Sequence, residues 1–78
     1  MRADEIRKVM GAVFGIEVTS IGEDASPGNI EQWDSLRHMS LVLALEEEFS
    51  VRFSEEAIDQ LISFRLIDLA LKELGQPD

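Results

Sequence analysis

The chain has 78 residues, no cysteine, and 16 acidic against seven basic side chains, for a formal charge of −9. That length allows a single domain with one modest core, residues 1–78, and no cleft walled by two lobes. Disulfides and thiolate metal sites are excluded, and so acidic a surface repels phosphate backbones and anionic lipid, which argues against nucleic acid and membrane as partners.

The acidity is uneven. Residues 1–10 carry Arg2, Arg7 and Lys8 against Asp4 and Glu5, a balance of +1; from Gly11 onward 14 acids face four bases, a balance of −10. Such a surface favours partners with basic patches, mainly by raising the rate of encounter. The opening "MRADEIRKVM" is charged throughout and lacks the apolar run of a signal peptide. No apolar run approaches the roughly 18 residues of a membrane span. A cytoplasmic monomer is the default expectation.

A first helix is expected over Ala3–Phe14, where Ile6, Val9, Met10, Val13 and Phe14 fall at i, i+3, i+4, i+7 and i+8 and share one stripe. Gly15 is a natural stop. The next stretch, Gly15–Trp33, has three glycines, a proline and no sustained periodicity. A connection this long in so small a domain is unusual. Ile16, Val18, Ile21, Ile30 and Trp33 are spaced along it like pins, so it reads as an ordered strap lying over the bundle.

Asp34 is placed to cap a second helix running from Ser35 to about Glu48. Ser54 is another cap, and Glu55 and Glu56 suit the positive first turn of a short third helix. The last helix follows Ser63, with Phe64, Ile67, Leu71 and Leu74 along one side, Asp68 and Lys72 as an outer i,i+4 pair, and Gly75 at its end. No strand pattern survives. The fold class is all-α: a four-helix bundle with a long loop between helices 1 and 2 and a short helix 3.

The second helix has two apolar sides. Leu41, Val42, Leu45 and Phe49 share the core side, while Leu36, Met39 and Leu43 point roughly opposite, toward the third helix, the strap or solvent. An exposed apolar strip rimmed by Glu46 and Glu47 is what a docking surface looks like. Ser35 lies between the two groups, in the first turn, beside unpaired N–H groups and the positive end of the helix dipole. A phosphodiester attached there would be favoured for the reason that helix N-termini bind phosphate. Asp34 could cap the helix or help hold a divalent metal during such an attachment.

"DSL" at Asp34–Leu36, followed at fixed distance by "LVLALEEEF" at Leu41–Phe49, resembles the acyl carrier proteins. Length, acidity, the long first loop and the short third helix agree, so the resemblance covers nearly the whole chain. It implies that Ser35 is where a phosphopantetheinyl transferase attaches 4′-phosphopantetheine from coenzyme A, with Asp34 and Leu36 completing the attachment motif. The arm's thiol would hold acyl intermediates of fatty acid or polyketide biosynthesis as thioesters and present them to synthase or acyl-transferring enzymes through Leu36, Met39, Leu43, Glu46 and Glu47. The chain itself would be a non-catalytic carrier, with no metal site of its own. The family also implies a retreat for the acyl chain between the second and third helices, with Leu45, Ile58 and Leu61 as lining. Two departures stand out: Arg37 and Ser40 where such carriers commonly have acids, and Trp33 where leucine is usual. Both point to a specialised stand-alone carrier.

Two other readings compete. An unmodified helical adaptor would use the same Leu36, Met39 and Leu43 strip. A Ser35–His38 nucleophile and base pair, at i,i+3, would make a hydrolase. It lacks an obvious third group and an oxyanion cradle, and the chain is too small to exclude water.

Overall fold

The computed structural model describes residues 1–78 and contains only helices and their connections. They are α1 (Arg2–Phe14), α2 (Ser35–Phe49), α3 (Glu55–Gln60) and α4 (Phe64–Glu73), with a single 3-10 turn at Val18–Ser20. This is a four-helix bundle with one long connection and one short helix. No helix is long and apolar enough to cross a membrane.

The stripe on α1 buries Ile6, Met10 and Phe14 and leaves Val9 and Val13 half-buried. Both α2 and α4 pack against this helix. From α2 come Leu41, Val42 and Leu45, and from α4 come Phe64, Ile67 and Leu71, all buried in one continuous core. Phe49 is only half-buried at its edge. Gly15 ends α1 in the left-handed conformation (φ 68°), where a side chain would be strained. Gly75 does the same for α4, with the Gln76 N–H returning to the Leu71 carbonyl and the Gly75 N–H to that of Lys72.

The strap is ordered by its own bonds and by the bundle beneath it. Ile21, Ala25, Ile30 and Trp33 are buried, whereas Ile16 is half-buried and Val18 is exposed. Asn29 closes its tip, accepting from the Ser26 N–H and donating to the Asp24 carbonyl. Arg7 holds it from α1: Nε–H donates to the Ile21 carbonyl at 3.0 Å, and the guanidinium sits 4.5 Å over the Phe64 ring. The Phe64 N–H donates to the Ala25 carbonyl, tying the strap to the start of α4.

The expected Asp68–Lys72 pair is replaced by a longer-range one. Arg2 folds in from the other end of the chain, its Nε–H 2.6 Å from Asp68 Oδ1 and its Nη1–H on the Gln76 carbonyl. Its side chain is only 9% exposed. The Asp68 hydrogen bond stabilises the charged guanidinium and raises its titration above the ordinary arginine value, against the opposing effect of burial. This bond ties α1 to α4 at the termini.

Candidate functional site

Asp34 is extended (φ −104°, ψ −178°) and its Oδ1 accepts the Arg37 N–H at 2.8 Å, the N-cap geometry. The second oxygen takes the Arg37 side chain, Nη1–H to Oδ2 at 3.2 Å. Asp34 is therefore a cap with an exposed ion pair. The N–H groups of Ser35 and Leu36, at the start of the helix, have no intrahelical partner. Asp34→Ala should lower stability by about 1 kcal/mol in urea denaturation, and Asp34→Asn, which keeps an accepting oxygen, should recover most of it.

Ser35 is exposed and lines a groove of about 600 Å³ between the start of α2, α3 and the strap. Trp33, Met39, Ile58 and Ile62 supply its apolar walls; Asp34, His38 and Asp59 are its polar members, and Pro27 lies at the strap end. Trp33 is wedged between Phe14, at 5.2 Å between ring centroids, and the His38 ring.

His38 is half-buried with both ring nitrogens engaged. Nδ1 accepts the Trp33 indole N–H at 3.0 Å, and Nε2 lies 2.9 Å from the Ile58 carbonyl. An indole N–H only donates and a carbonyl only accepts, so the ring between them is neutral and carries its proton on Nε2. The lone pair that a Ser35 nucleophile would need is occupied by Trp33.

The apolar strip on α2 faces solvent: Leu36 is 78% exposed, Met39 46% and Leu43 62%. The two rim acids differ. Glu47 is exposed and borders a second groove, of about 530 Å³, between α1 and α2. Glu46 is half-buried and turned to the loop after α2, where Oε2 accepts the Phe53 N–H at 2.9 Å, so it is not a free rim charge.

The expected acyl lining is split. Ile58 borders the Ser35 groove, but Leu45 and Leu61 are buried in the core and do not. Their places are taken by Met39 and by Ile62, which lies in the α3–α4 connection and is 52% exposed. Ile62 carried one usable signal, its i+4 spacing from Ile58. No protein-family model matches the chain.

Proposed function

We propose that this chain is a carrier protein of the acyl carrier type, bearing 4′-phosphopantetheine on Ser35 and handing acyl groups between partner enzymes. The observation that carries the reading is the Asp34–Ser35–Leu36 segment at the start of α2, with its serine exposed and its cap supplied by the neighbouring aspartate. The residues suit such a group. The hydroxyl is open to a modifying enzyme, the free N–H groups of the first turn favour a phosphodiester, and the groove gives an attached arm and its cargo a surface to lie on.

In loading, Ser35 Oγ forms a bond to the phosphorus of coenzyme A that bears the pantetheine. The pyrophosphate P–O bond breaks, adenosine 3′,5′-bisphosphate leaves, and the hydroxyl proton passes to the transferase or to water. The bound group supplies a thiol that holds acyl groups as thioesters, a chemistry that a chain without cysteine otherwise lacks. The tether keeps cargo at high effective concentration near each partner's active site. The charge of −9 favours basic partners, with Leu36, Met39 and Leu43 as the apolar centre of contact and Glu47 at its rim. Arg37, paired with Asp34, weakens the acidic edge and favours a dedicated set of enzymes.

Intact mass after incubation with coenzyme A and a broad-specificity phosphopantetheinyl transferase should show one added arm per chain. An unchanged mass counts against the reading. The exposure of Leu36 and Leu43 also suits an unmodified adaptor, for which Ser35→Ala would leave partner binding intact.

A further inference from the structure

The floor of the Ser35 groove is a chain of two hydrogen bonds, from Trp33 Nε1–H to His38 Nδ1 and from His38 Nε2–H to the Ile58 carbonyl. One imidazole thereby joins the strap, α2 and α3. Helix α3 has only six residues and none of them is fully buried, so it depends on such ties to stay in place. Leu41 and Leu45 follow His38 at i+3 and i+7 on the inner side of α2, and Leu61 closes α3; all three are buried.

We infer that the Trp33–His38–Ile58 chain is a latch that holds α3 on α2 and shuts the interior to anything attached at Ser35, so that His38 selects short acyl cargo over long. The cargo clause rests on the carrier reading; the latch does not. A short acyl group finds its apolar contacts on Met39, Ile58 and Ile62 in the open groove. A long chain gains more only by reaching Leu45 and Leu61, which requires α3 to move out and the His38–Ile58 bond to break.

Two measurements test this. In the unmodified chain, His38→Leu keeps bulk but cannot bond, and should speed amide exchange of Ile58 and Leu61 about tenfold while leaving α1 and α4 unchanged. Trp33→Phe, which keeps an aromatic ring but removes the donor to His38 together with part of the ring system, should give a smaller rise in the same place. With Ser35 loaded from octanoyl-coenzyme A, the methyl resonances of Leu45 and Leu61 should stay put in the wild-type chain and shift in His38→Leu. An acetyl load should move them in neither. Unchanged α3 exchange in both variants would overturn the latch, and if His38→Leu fails to fold, Trp33→Phe alone decides it. Shifted Leu45 and Leu61 methyls in the octanoyl wild-type chain would overturn the closed interior. A chain that accepts no arm from coenzyme A removes the carrier reading and the cargo clause, while the exchange rates still judge the latch.

Discussion

Ser35→Ala should accept no arm from coenzyme A, a complete loss on intact mass, while keeping the helical CD spectrum and urea midpoint of the wild-type chain. The separation is possible because Ser35 does not hold the fold. The cap of α2 is Asp34 Oδ1 on the Arg37 N–H, and Ser35 is exposed beside it. Alanine is a better helix former than serine by up to about 0.5 kcal/mol, so the exchange should be neutral or slightly stabilising. Ser40 provides the control. It lies five residues on along the same helix, its hydroxyl only 3.5 Å from the Leu36 carbonyl, and Ser40→Ala should load like the wild-type chain. Loading that persists in Ser35→Ala would put the attachment elsewhere and break the link between the motif at the start of α2 and the proposed chemistry.

Trp33→Ala should be among the most destabilising single changes, at about 3–5 kcal/mol. The side chain is 5% exposed, packs its ring on Phe14 and His38, and anchors the last buried point of the strap. Its removal leaves a cavity and strips His38 Nδ1 of its donor. A domain of this size has a total stability of only about 4–12 kcal/mol, so the variant should unfold at markedly lower urea, and Trp33→Phe is its direct comparison. The phenyl ring keeps part of the packing but loses three ring atoms and the indole N–H, so its cost should be smaller, about 2 kcal/mol. Equal midpoints for Trp33→Ala and the wild-type chain would mean that the strap contributes nothing to holding the bundle together.

Short-range rules made much of this molecule readable in one dimension. Asp34 and Ser54 cap as expected, and Ser63, after which the last helix was expected, is a third cap; each accepts from the N–H three residues on, because the bond closes within a single turn. The apolar stripes of α1, α2 and α4 and the stops at Gly15 and Gly75 follow from helical period and backbone preference, except that Leu74, expected on the α4 stripe, lies just past the helix end and is exposed. The exposure of Leu36 and Leu43 was left open by the sequence, since a second apolar stripe can equally face a neighbouring helix.

Long-range choices depended on which segments meet in space. Nothing local ties Arg2 to Asp68, 66 residues away, in place of Lys72 one turn on; the pairing exists because α1 and α4 bring the two ends of the chain together. Gly11 carried no signal, yet a Cβ there would lie 3.0 Å from the Ile16 carbonyl oxygen and 3.2 Å from Val18 Cγ2, because the strap turns back over α1 at that point. Glu46 looked like a rim charge until the loop after α2 placed the Phe53 N–H against it. Likewise, the residues that border the Ser35 groove were set by where the strap and α3 come to rest. Hydrogen bonds within a turn are written in residue order, whereas the closing of Trp33, His38 and the Ile58 carbonyl into one chain needs three separate segments already packed.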